Sequence, residues 1–137
     1  MKLTIILLLI TSSLFGQIPK GATTISIVGD STTEEKIAEA LITNGFNIQT
    51  INKYTIKTEA KKIKTWNFDV IVSMVGNKYT FKIYWASNIS VYVGGGVSTG
   101  PQRGECSYKG FNSSAYKVGF NELDYIVNSL GYPVTYN

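Results

Sequence analysis

Val70-Ile71-Val72-Ser73-Met74-Val75, the pair Gly76-Asn77, then Tyr79-Thr80-Phe81-Lys82-Ile83-Tyr84-Trp85 is the stretch that decides the fold. The first run is strongly β-branched, which suits a central strand of a sheet. Gly76-Asn77 is a turn signal. The second run alternates, with Tyr79, Phe81, Ile83 and Trp85 on the core side and Tyr84 on the opposite parity. Together they read as a β-hairpin.

Working outward toward the N-terminus, Asn47 to Lys53 and Tyr54 to Lys62 read as a further strand pair with Asn52-Lys53 near its turn. In the second of these, strict alternation puts Tyr54, Ile56, Thr58 and Ala60 on one face. Thr55, Lys57, Glu59 and Lys61 then share the wet face. Before them, Ile37, Ala38, Leu41 and Ile42 form the apolar face of a helix. Its start fits a capping box, Ser31 to Glu34, and Gly45 followed by Phe46 fits its end. Thr23 to Val28 alternates as a strand. Toward the C-terminus, Ser90 to Val93 is one more candidate strand. Residues 94–113, GGGVSTGPQRGECSYKGFNS, read as a long Gly-rich loop. A helix then carries Tyr116, Phe120, Leu123, Val127 and Leu130 as one stripe, capped by Ser113 or Ser114 and stopped by Gly131 and Pro133. The order β-α-β-β-β-β-(β)-α predicts an α+β domain. It has a single, mostly antiparallel sheet of about five to six strands with two helices packed on one face.

Residues 1–17, MKLTIILLLITSSLFGQ, read as a signal peptide: Lys2, an apolar run from Leu3 to Ile10, a polar exit and Gly16 before the cut. The apolar run is too short to span a bilayer, and no later run is long enough. The nearest cysteine is Cys106, so no lipid anchor is expected. Residues 18–137 are then a single exported domain, periplasmic or extracellular. Cutting after Gly16 removes only Lys2, which leaves twelve cations against nine carboxylates, a net charge of +3. That balance favours anionic envelope surfaces and is too small to imply nucleic acid.

The chain has no histidine. This excludes Ser-His-Asp triads, Cys-His pairs and most zinc sites. No catalytic residue, cofactor or metal site is predicted. Its one cysteine, Cys106, lies in a polar stretch and reads as a partly exposed bystander thiol, with a reactive or intermolecular cysteine as the alternative.

The leader, Ile18-Pro19-Lys20-Gly21-Ala22, the helix end Asn44-Gly45-Phe46, the closing run Lys117 to Asp124 and Tyr136 resemble small uncharacterised exported α+β proteins of Gram-negative bacteria. That resemblance implies export and no assigned activity. In element order the chain is also similar to the helix-on-sheet domains of an outer-membrane assembly lipoprotein of the Bam complex. This second likeness concerns fold alone.

Gly96-Val97-Ser98-Thr99-Gly100 matches the nucleophile-elbow pattern, but no histidine base exists and no helix signal follows. The same segment fails the P-loop and G-x-G-x-x-G patterns. As a loop it is a candidate for recognition. Lys53, Lys57, Lys61, Lys62 and Lys64, with Trp66 and Phe68 nearby, form a basic stretch. Such a stretch serves either as a solvated, edge-protecting face or as a contact for an anionic partner. Tyr84 and Tyr92 are candidates for an exposed aromatic patch. The predicted binding surface is therefore Lys57, Lys61, Lys62, Lys64, Trp66, Tyr84, Tyr92, Ser98 and Arg103. The predicted function is a non-enzymatic binding module of the envelope, contacting an unknown protein or an anionic component. The alternatives are a small serine hydrolase using Ser98 and an inhibitor or immunity-type protein acting through the 94–113 loop.

Overall fold

The computed structural model describes residues 17–87, 91–93, 97–99 and 102–137. The expected signal peptide, apart from Gln17, lies outside them. The elements are β1 (Ile25–Val28), α1 (Thr33–Thr43), β2 (Ile48–Ile51), β3 (Thr55–Thr58), β4 (Lys61–Ile63), β5 (Trp66–Val75), β6 (Lys78–Ser87), β7 (Val91–Val93), β8 (Val97–Thr99), β9 (Gln102–Glu105), α2 (Ala115–Ser129) and β10 (Thr135–Tyr136). The α+β class with one antiparallel sheet is as expected, but five to six strands is an undercount. The main sheet has eight strands, and β7 and β8 pair separately.

The hairpin β5–β6 is the axis of the sheet, paired over nine positions from Asn67↔Ala86 to Val75↔Lys78. Gly76 closes its turn with φ of 58°, a conformation that a Cβ disfavours. Each long strand then serves two shorter neighbours in succession. Along β6 lie β1 and β9; along β5 lie β3 and β4. Thus the segment expected as a 94–113 loop supplies β8 and β9. Gln102 to Glu105, three polar residues and a glycine, add a strand because the edge of β6 beyond β1 offers unpaired backbone groups.

Alternation along the hairpin sorts its side chains. Phe68, Val70, Val72 and Met74 of β5 and Tyr79, Phe81 and Ile83 of β6 are buried with Ile25, Ile27 and Ile56. Both helices cover this face. Ile37 and Leu41 come from α1, and Phe120, Leu123, Ile126 and Val127 from α2. Gly119 lets α2 approach the sheet, since a Cβ there would meet the Phe68 ring at 2.7 Å and Cys106 Sγ at 2.5 Å. Cys106 is fully buried and free, not a partly exposed thiol. It follows β9 directly, and its N–H bonds the carbonyl of Ile83 in the core.

The helix ends follow sequence chemistry with one exception. At the end of α1, the Gly45 N–H bonds Ile42 O and the Phe46 N–H bonds Leu41 O, which is a Schellman closure. Ser114 Oγ accepts from the Lys117 N–H at the start of α2. The Ser31 to Glu34 capping box does not form, and Thr32 occupies the cap position. Asp30 organises this turn instead: its Oδ1 accepts from Thr32 N–H and Oγ1, while its own N–H donates to Thr33 Oγ1. Thr33 is buried and reaches Tyr132, so the turn is fixed by tertiary contact. The Thr32 hydroxyl is the main cause that holds the Asp30 carboxyl below its usual range.

Candidate functional site

No described helix lies against the second face of the sheet. By register it presents Ser26 and Val28 of β1, Lys78, Thr80, Lys82 and Tyr84 of β6, and Asn67, Asp69, Ile71 and Ser73 of β5. Lys57 of β3 lies opposite Ile71, Lys62 of β4 opposite Asn67, and Arg103 and Glu105 of β9 opposite Ala86 and Tyr84.

The centre of this face is a stacked ion pair. The Arg103 guanidinium lies 4.2 Å from the centroid of the Tyr84 ring and bonds Asp69 Oδ2 through Nη2. The Asp69 side chain is nearly buried while the Arg103 side chain is 46% exposed, so the arginine keeps a face to solvent. A planar guanidinium held by a ring and a carboxylate is pre-oriented for a further acceptor. Beside it, Lys82 Nζ pairs with Glu105 Oε1 at 3.3 Å. A shallow groove of about 300 Å³ runs between Lys57, Gln49, Asp69 and Arg103.

Charge is segregated across the molecule. This face carries Lys57, Lys62, Lys78, Lys82 and Arg103 against Glu59, Asp69 and Glu105, a surplus of two cations. The two helices carry Glu34, Glu35, Glu39, Glu122 and Asp124 against Lys36 and Lys117, a surplus of three anions.

Of the residues singled out in sequence, the structure brings Lys57, Lys62, Tyr84 and Arg103 to this face and separates the others. Lys61 is on the helix side. Its Nζ donates to Asn44 O at the end of α1 (2.6 Å), pairs with Glu122 of α2 (3.2 Å) and lies over the Phe46 ring. The cause is a one-residue slip: Lys57 pairs with Ile71 in β3, but Lys61 pairs with Phe68 in β4. Parity inverts at the break, and the Thr58 hydroxyl takes the Val70 N–H there. Ala60 and Tyr54, expected on the core side, are exposed. Trp66 is also on the helix side, edge-on to Trp85 at 5.6 Å, and Trp85 is edge-on to Tyr116 at 6.0 Å. Lys64 sits in the tight β4–β5 turn with φ of 58°. Tyr92 and Ser98 pair across the β7–β8 hairpin, and their side chains lie outside the described residues. Ser98 is mid-strand in an arm that leads to β9, so the strand-to-helix turn of a nucleophile elbow is not formed.

Asp69, Lys82 and Glu105 are site residues that the sequence reading misses. The parity of β6 places Lys82 beside Tyr84 and could have found it. The Arg103–Asp69 pair spans 34 residues, and nothing local announces it. Among the described residues no group of three or more acidic, cysteine or histidine side chains is arranged to hold a metal. No described helix is long and apolar enough to cross a membrane. The chain matches no protein-family model, no curated protein and no solved structure.

Proposed function

We propose that this chain is an exported, non-enzymatic binding module of the bacterial cell envelope that engages an anionic envelope component through the uncovered face of its sheet. The observation that carries this reading is the segregation of charge: cations on the face without helices, carboxylates on the helices. A dipolar molecule of this kind is oriented by an anionic surface, which attracts one side and repels the other. Arg103, stacked on Tyr84 and exposed on one side, is the natural anchor, and Lys57, Lys62, Lys78 and Lys82 extend the contact. The absence of histidine and the mid-strand position of Ser98 support a non-enzymatic role. The N-terminal leader supports export.

The test is the triple reversal Lys57→Glu, Lys62→Glu and Lys82→Glu, with co-sedimentation on phosphatidylglycerol and phosphatidylcholine vesicles. All three lysines lie on β-strands with their side chains on the uncovered face, so the fold should persist. Binding of the parent to the anionic vesicles, weakened by salt and abolished in the variant, is expected. Equal association of parent and variant would overturn the reading.

A further inference from the structure

Another groove lies on the other side of the molecule. It has a volume of about 910 Å³ and runs along the outer face of α2, with Tyr108 and Tyr136 on its far wall. The helix contributes Asn121, Asp124, Tyr125, Asn128 and Ser129, spaced i, i+3, i+4, i+7, i+8, which is one continuous stripe. Ordinary solvated helix faces carry charged pairs. This stripe instead holds amides, a hydroxyl, a tyrosine and a single carboxylate, and no lysine or arginine lines the groove.

Its polar groups are held in place. Asp124 Oδ1 accepts from the Tyr136 hydroxyl at 2.6 Å and from Asn128 Nδ2 at 2.7 Å. Asp124 Oδ2 has no partner among the described residues, so one carboxylate oxygen of fixed orientation is free to accept. Tyr136 is anchored in turn by its place in β10, paired with Ile25. Tyr125 is 68% exposed, a large ring that no packing accounts for. It also borders a second groove, of about 390 Å³, toward Glu39 and Thr43 of α1. The ring therefore stands as a ridge between two troughs of mixed lining.

We infer that this groove binds a neutral oligosaccharide, with a sugar ring stacked on Tyr125 and hydroxyls bonded to Asp124 and Asn121. The chemistry selects this ligand. A sugar has one face of C–H groups, which suits an aromatic ring, and a rim of hydroxyls, which suits amides that donate and accept and carboxylates that accept. Asp124 is the one ionised side chain of the lining, and it would repel a phosphate or carboxylate ligand. A second sugar on the far side of Tyr125 would find Lys36, Glu39, Thr43 and Asn44 as hydrogen-bonding partners in the neighbouring trough. Asn121 further suits the acetamido group of an N-acetylated sugar, which matches an amide in both donor and acceptor. The site is distinct from the basic sheet face and does not depend on it.

The experiment is a titration of the isotopically labelled protein with chitotetraose, cellotetraose and maltotetraose, following backbone amide shifts. Saturable shifts confined to the two troughs, residues 17–18, 108, 121–130 and 136 with 36–44 of α1 and its C-cap, are expected with at least one of these probes. Tyr125→Ala and Asp124→Asn should each weaken binding about tenfold, as loss of a ring contact or a charge-assisted hydrogen bond does. Tyr125 is exposed, so its variant keeps the parent melting curve. For Asp124→Asn, the shift spectrum outside α2 reports that the fold is intact. No saturable shift with any of the three sugars overturns the inference, as do shifts at other surfaces. Equal affinity of parent and Tyr125→Ala overturns it too. A groove that responds only to a peptide or to inorganic phosphate counts against it.

Discussion

The two faces of one sheet have opposite tasks here. On the helix side, β5 and β6 present Phe68, Val70, Val72, Phe81 and Ile83, all fully buried, and each is locked between strand and helix. On the other side, the same strands present Asp69, Lys82 and Tyr84, which make a stacked ion pair and one salt bridge near solvent. Stability resides on the helix side. Burial of apolar area drives folding, and partly exposed charge pairs contribute little. A face released from packing is free to carry chemistry.

The largest expected effect comes from breaking the buried side. Phe120→Ala removes the ring that meets Tyr108 and Tyr136 and should destabilise the fold by about 3–5 kcal/mol in urea unfolding. A loss below about 1 kcal/mol would mean that α2 contributes little to the core. Next, Gly104→Ala sets a Cβ 2.6 Å from Trp85 Nε1, a buried nitrogen without a partner among the described residues. Overpacking of this kind costs about 1–3 kcal/mol. If the variant melts with the parent, β9 is not held against Trp85.

The buried side also has a pH signature. Burial pushes the Cys106 thiol up to about 12 from an ordinary value of 9.0. Above pH 9 the unfolded chain loses this proton while the folded chain keeps it, so stability should fall as pH rises from about 9 toward 12. Burial also raises the hydroxyls of Tyr79 and Tyr136, which steepens the fall above pH 10. Cys106→Ala should flatten the slope between pH 9 and 10, and iodoacetamide should label the parent only after denaturation. Rapid labelling of the folded protein would contradict the buried thiol.

Smaller effects sharpen the comparison. Ser114→Ala loses a formed helix cap and should cost about 1 kcal/mol, whereas Ser31→Ala loses none and should cost less than about 0.5 kcal/mol. Equal costs would show that Ser31 caps α1 after all. On the uncovered face, Lys82→Ala breaks the pair with Glu105 and should stay within about 0.5 kcal/mol of the parent. A larger loss there would make this face part of the core.

Much of this is legible along the chain. The β5–β6 hairpin, the Gly45 closure of α1, the Ser114 cap and the apolar stripe of α2 each depend on residues close in sequence. Local chemistry is sufficient for such elements, because turn, cap and alternation act over a few positions. The features that depart from expectation depend on partners far away. The strand at Gln102 to Glu105 has no apolar alternation of its own, and it exists because β6 outruns β1. The basic stretch reads as one strip by strict parity. It divides because β3 and β4 are two strands with different registers on β5, and a slip of one residue sends Lys61 to the helices and Lys57 to solvent.

The α+β class, the central hairpin, the two amphipathic helices and the lack of histidine chemistry all follow from composition and short-range periodicity. The strand count, the burial of Cys106, the union of Asp69, Tyr84 and Arg103, and the groove of Asp124, Tyr125 and Tyr136 come from the folded assembly. Each of these is set by register between segments distant in the chain, and register is a property of the assembled sheet that no single stretch encodes.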